Sequence, residues 1–213
     1  MTNISSFTVP PHLAEYNAPL AEFTASKPHF TDFVVSGLVF SQSYPDSIPK
    51  DTSRPRILLL QRAETDSYPG YWEGPGGMCE RTDATLLTGV AREVLEESGL
   101  HVSRFVDLVA VDEWERVLHD EVHRVAKFTF LVEVHEADPA TGSVPSADVE
   151  VGVAPERWED GVKLEQTEHQ AFVWATEEEV RASAEGEGKY KFMGNQGRNL
   201  LKAFEMSGKP SFV

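Results

Sequence analysis

Apolar residues fall along this chain in short runs separated by polar, proline-rich stretches. Phe33 to Phe40 (FVVSGLVF) and Ile57 to Leu60 (ILLL) are continuous apolar runs of strand length, the pattern of strands covered on both faces. The stretch between them, Gln42 to Pro55, is polar and repeatedly broken by proline, which predicts a surface loop. Leu108 to Val111 and Val125 to Val134 predict two further strands, joined by a polar segment containing His119, Asp120, Glu121 and His123. A second Pro/Gly/Ser-rich stretch, Asp138 to Ser146, precedes the alternating Val149, Val151 and Val153. Phe172 to Trp174 is a last short strand.

Elsewhere the period changes to that of a helix. Leu87, Val90, Ala91, Val94 and Leu95 recur at three- and four-residue spacing and form one apolar stripe, with Asp83 as the expected N-cap and Gly99 as the left-handed C-terminal stop. Thr176 followed by Glu179 has the spacing of a capping box, so a helix is expected to start there and run to about Ala184. Asn195 to Met206 predicts a C-terminal helix. Residues 1–30 are mixed and punctuated by proline, and are expected to form an arm laid on a single domain of residues 31–213.

Composition narrows the function. With 40% hydrophobic and 25% charged residues in 213, the chain is an ordinary globular sequence. Its 19 basic against 35 acidic side chains give a formal charge of -16, which repels a phosphate backbone, so no nucleic-acid polymer is expected as a partner. Cys79 stands alone and cannot form an internal disulfide. The opening MTNISSFTVPPHL lacks the basic and apolar regions of a secretory signal, and no apolar run approaches the roughly 20 residues needed to span a bilayer. The expectation is a soluble, cytoplasmic protein with no membrane partner, with a homodimer left open.

The chemistry concentrates in Trp72 to Leu100. Opposite the apolar stripe lie Arg92, Glu93, Glu96 and Glu97, and carboxylates three and four residues apart on a helix repel by about 0.2–0.5 kcal/mol per pair. Arg92 can offset part of that, and a hard cation with oxygen ligands the rest. An acidic cluster alone is usually only a solvated face. Here the helix is preceded by Gly74-Pro75-Gly76-Gly77, whose glycines let backbone approach a ligand closely, and that combination is much rarer. Two other candidates fail on spacing. His119 and His123 lack the His-Glu-x-x-His order of a helical zinc site, and Gly186-Glu187-Gly188-Lys189 lacks both the preceding strand and the following Ser or Thr of a P-loop.

The run Arg92-Glu93-Val94-Leu95-Glu96-Glu97-Ser98-Gly99-Leu100 behind Pro75-Gly76-Gly77 resembles the Nudix box, G-x5-E-x7-R-E-U-x-E-E-x-G-U with U a bulky aliphatic. Leu58 to Ala63 (LLLQRA) and Tyr71-Trp72 resemble the approach to that box, and Glu168-His169-Gln170 with Phe172 and Trp174 the family's closing segment. Two departures stand out. Ala84 occupies the position of the first box glutamate, and the box glycine falls on Gly77 only with one residue inserted in the loop, as in fungal-looking members. Asp83 is the candidate to replace the missing glutamate.

The resemblance implies an α/β fold, with a mixed β-sheet sandwiched between α-helices. It also implies a Mg²⁺-dependent hydrolase, with Mn²⁺ able to substitute, that cleaves a phosphoanhydride bond in a nucleoside diphosphate linked to another group. Glu93, Glu96, Glu97 and the Gly77 carbonyl would ligate the metal, with Arg92 orienting the carboxylates. Glu93 or Glu168 would be the general base, and Arg62, Trp72 and Gly76 would contact the small diphosphate substrate, although Trp72 suits core packing at least as well. Ala84 favours a second reading, a Nudix fold diverted to ligand binding or to non-hydrolytic chemistry.

Overall fold

The computed structural model describes residues 6–41, 54–138 and 157–208. Among them, Pro11–Asn17 forms a 3-10 helix and Leu20–Ala25 a short helix, α1. The strands are β1 (Asp32–Ser41), β2 (Arg56–Arg62), β3 (Trp72–Glu73), β4 (Gly76–Met78), β5 (Val102–Leu118), β6 (Glu121–Val134) and β7 (His169–Thr176). The remaining α-helices are α2 (Leu86–Ser98), α3 (Glu177–Ala184) and α4 (Gln196–Ser207). The strands join in the order β3-β2-β1-β6-β5, with β4 paired to β1 and β7 to β2. The sheet is mixed, because β1 runs parallel to β6 while the other pairings are antiparallel.

Alternation along the central strands gives each face its own core. Val35, Val39, Leu58 and Leu60 pack with Leu86, Leu87, Val90 and Val94 of α2. Leu38, Ile57 and Leu59 point the other way, to Val180 of α3 and Leu200, Ala203 and Phe204 of α4. Helices therefore cover both faces of the mixed sheet. Helix α2 lies so close to β1 that a Cβ on Gly37 would sit 2.6 Å from Val94 Cγ2. The N-terminal segment reaches the α2 face, where Leu13 and Phe23 are buried and Phe23 packs edge-on against Phe33 and Phe128. The Leu20 N–H donates to the Ala84 carbonyl (2.9 Å), tying that segment to the loop before α2.

Three expectations need correction. The N-cap of α2 is Thr85, whose hydroxyl accepts from the Thr88 N–H in a capping box, because Asp83 is drawn away by Arg92. The core stripe of α2 does not extend to Leu95, which is only half-buried, whereas Arg92, Glu93 and Glu97 on the other side of the helix are buried. The polar segment after Val111 belongs to one long hairpin. Only His119 and Asp120 turn, both at positive φ (51° and 64°), which suits a two-residue turn of the twist that strands prefer. Val149, Val151 and Val153 lie outside the described residues, as do most of the Gln42–Pro55 and Asp138–Ser146 stretches. Among the described residues no helix is long and apolar enough to cross a membrane.

Candidate active site

Backbone pairing fixes the glycine loop. Gly76–Met78 pairs with Val34–Ser36, and the Pro75 carbonyl accepts from both the Ser36 hydroxyl (2.9 Å) and the Gly37 N–H (2.9 Å). From the helix side, Glu97 Oε2 accepts from the Gly76 N–H at 2.7 Å. Gly77 lies against the Glu93 carboxylate so closely that a Cβ there would approach Glu93 Oε1 to 2.7 Å and push the carboxylate from this position.

Arg92 locks the loop to the helix. Its guanidinium donates to Asp83 through Nε (3.0 Å) and Nη2 (3.1 Å), to Glu93 (2.9 Å), to Glu96 (3.0 Å) and to the Met78 carbonyl (3.0 Å). Asp83 also accepts from the Glu80 N–H at 2.8 Å. The residue beside the alanine thus braces the loop, while Ala84 itself is exposed. Glu96 is exposed and accepts from Arg92, and it does not line the cleft described next.

Beyond Glu97 a cleft of ≈ 290 Å³ opens between Arg62, Asp66, Gly76–Gly77 and Thr167–His169. Glu97, Glu168 and His169 each bring a donor atom within 4.8 Å of the others. His169 is 2% exposed, and neither ring nitrogen has a hydrogen-bond partner. Nδ1 lies 4.0 Å from Glu97 and Nε2 3.9 Å from Glu73. Glu73 in turn pairs with Arg62, which also holds Asp66 at 2.5 Å.

Crowding shifts the proton affinities. Burial pushes Glu93 up to about 7, with Glu96 and Glu168 adding and Arg92 opposing. Glu97 stands well above the usual carboxylate range, again chiefly through burial, with Glu73, Glu93 and Glu168 adding to the effect. Glu73 goes the other way: burial would raise it, but His169, Lys127 and Arg62 outweigh that and hold it low. The Cys79 thiol is pushed up to about 12, first by burial and then by Asp83, which leaves it protonated and unsuited to nucleophilic work.

Of the residues expected in the site, the structure brings Arg62, Gly76, Gly77, Glu97 and Glu168 to the cleft, with Glu93 behind Gly77. Trp72 is not there. It packs edge-on against Tyr190, 5.2 Å between ring centres, in the core on the opposite face. Its neighbour Glu73 faces the cleft residues instead, as alternation along β3 requires. Glu73, His169 and Asp66 were missed; a charged residue inside an apolar strand-and-loop context was the available signal for Glu73. His119 sits in the hairpin turn and His123 faces Asp32 at 2.8 Å, so neither approaches a common ligand position.

A buried carboxylate pair beside a glycine loop and an imidazole without a hydrogen bond can hold a divalent cation. The profile of the NUDIX domain matches residues 48–195. The chain belongs to the NUDIX family. A "MutT-like protein" of Streptomyces ambofaciens is 51% identical over 47 residues, a stretch covering 22% of this chain and 27% of that protein, so only about a quarter of the relative's length is matched. Among solved NUDIX-type structures, the MutT protein of Methanosarcina mazei Go1 superposes with a TM-score of 0.50 at 22% identity, covering 84% of this chain and 96% of that one. The NUDIX domain of Shewanella oneidensis NrtR, solved with ADP ribose, gives 0.50 at 12% identity, covering 88% and 97%. Likeness at these identities speaks for the fold, and the NUDIX site is read from its own residues.

Proposed function

We propose that this chain is a Mg²⁺-dependent pyrophosphohydrolase that cleaves the phosphoanhydride bond of a nucleoside diphosphate linked to another group. The observation that carries this reading is the cluster of buried Glu97 with Glu168 and a His169 that has no hydrogen bond, beside the glycine loop, with a second buried and mutually repelling carboxylate, Glu93, against Gly77. Buried like charges are costly unless something of opposite sign joins them.

The donors fit a hard divalent cation, since carboxylates and backbone carbonyls suit Mg²⁺ or Mn²⁺. Glu93, Glu97 and the Gly77 carbonyl would hold it, and when bound it would neutralise diphosphate charge and lower the pKa of a bound water. The chain's own groups do the rest. Arg62 brings a guanidinium to the cleft for phosphate oxygens, and Glu73 and Asp66 hold it in place. Glu168 is exposed at the cleft and takes the proton of the attacking water at its carboxylate. Arg92 and Asp83 position Glu93 and the Met78 end of the loop without touching substrate. Asp83 thereby supplies the bracing carboxylate that Ala84 lacks.

The test is a phosphate-release screen over dinucleotides, nucleotide sugars, ADP ribose and prenyl diphosphates, with and without Mg²⁺. At least one nucleoside diphosphate derivative is expected to be cleaved only with the metal. Inactivity over the whole panel would contradict the reading.

A further inference from the structure

The catalytic cleft has a neighbour. His169 also lines a second hollow of ≈ 480 Å³, together with Val162, Leu164, Gln166, Gln170 and Phe172. Its lining differs in kind from that of the first. The cleft is built from Arg62, Asp66, Glu97 and Glu168, whereas here, apart from the shared His169, every lining side chain is neutral, in a chain of formal charge -16.

We infer that this second hollow holds the nucleobase of the substrate while its diphosphate occupies the carboxylate cleft. The inference rests on the proposed hydrolysis of a nucleoside diphosphate and names where that reaction's specificity is set. Three observations carry it. His169 lines both hollows, so they adjoin, and the base of a nucleotide would lie one residue away from its diphosphate. Val162, Leu164 and the half-buried ring of Phe172 give an apolar floor on which a flat ring can rest, and base–aromatic contact is favourable for any base. Gln166 and Gln170 are exposed, and each carries both a donor and an acceptor, the combination that a base edge presents in return. A prenyl chain would make no use of the two amides, and a second anionic group would find no Lys or Arg in the lining.

Elements of the main chain keep the hollow open independently of the catalytic groups. The Lys163 N–H donates to the Ser98 carbonyl (2.8 Å), anchoring the 162–164 segment to the C-terminal end of α2. Phe172 pairs within the sheet through Leu60. Substituting the exposed amides therefore removes hydrogen-bonding groups without disturbing the core.

The experiment is calorimetric titration of the full chain, with Mg²⁺, by the four nucleoside monophosphates AMP, GMP, CMP and UMP and by ribose 5-phosphate, none of which contains an anhydride to cleave. At least one nucleotide is expected to bind more tightly than ribose 5-phosphate. In Gln166→Ala/Gln170→Ala that preference falls by about 2- to 10-fold per amide lost. Equal binding of nucleotides and ribose 5-phosphate by the unaltered protein, or an undiminished preference in the double variant, would overturn the assignment. Its failure is separable from failure of the hydrolase reading, because binding is measured without turnover. Base-dependent binding without cleavage sinks the hydrolase and keeps the pocket, and cleavage without base preference does the reverse.

Discussion

Two charged clusters meet on helix α2, and they are opposites. Around Arg92 every carboxylate is hydrogen-bonded: one guanidinium serves Asp83, Glu93, Glu96 and the Met78 carbonyl, all at 2.9–3.1 Å, and Glu93 alone also belongs to the second cluster. One turn further along, Glu97 shares its surroundings with Glu73, Glu93 and Glu168, its only described hydrogen bond comes from the Gly76 N–H, and His169 has none. The first cluster is complete as folded and acts as a brace. The second is complete only with something added, which is how a buried polar site reads when it is built for a ligand rather than for stability.

The contrast is most easily broken at the brace. Arg92→Met should destabilise the fold by about 3–5 kcal/mol, because it strands Asp83 and Glu93 as buried, uncompensated carboxylates. Chemical denaturation would show this as a lower midpoint with an unchanged slope. A loss below about 1 kcal/mol would mean that the network is looser than drawn.

Asp83→Ala comes next, with about 1–3 kcal/mol expected for the unsatisfied groups it leaves on Arg92 and on the Glu80 N–H. Activity should fall as well, since the loop carrying Gly76 and Gly77 loses its tie to the helix. Thr85→Ala, which removes the actual cap, should cost about 0.5–2 kcal/mol and leave turnover per folded molecule unchanged. If Asp83→Ala behaved like Thr85→Ala in the assay, Asp83 would be ordinary scaffolding.

The smallest effect sharpens the other side of the comparison. Glu93 and Glu97 both have raised proton affinity in the metal-free protein, Glu93 to about 7. An acid whose folded pKa exceeds its unfolded value of 4.5 binds more protons when folded, so stability falls as pH rises between the two values. Metal-free protein should therefore lose thermal stability from pH 5 to about 7 in the part contributed by these groups. Glu97→Gln should flatten that slope, as the thermal midpoint against pH would show.

Much of this was legible in the sequence. The helix stripe, the Gly99 stop, the Thr176 capping box, the glycine loop and the two-sided central strands all depend on local pattern, and local pattern decides them. What escaped depends on contacts far apart in the chain. Asp83 looked like a cap because its position suits one, but the preference of Arg92 for a bidentate carboxylate prevailed and Thr85 took the end of the helix. Trp72 and Glu73 exchanged their expected importance because one residue of strand phase decides which faces the cleft. His169 is invisible as a site residue until β7 is laid beside β2 and its buried ring is found between Glu73 and Glu97 without a hydrogen bond.

The central claim is that the unanswered carboxylates await a divalent cation. The direct test is the thermal midpoint of the full chain at neutral pH with and without Mg²⁺, for the unaltered protein and for Glu97→Gln. The account predicts a clear rise with Mg²⁺ in the unaltered protein and little or none in Glu97→Gln, which should also be the more stable of the two when metal is absent. Equal midpoints with and without Mg²⁺ in the unaltered protein, or an equal Mg²⁺ response in both, would contradict it.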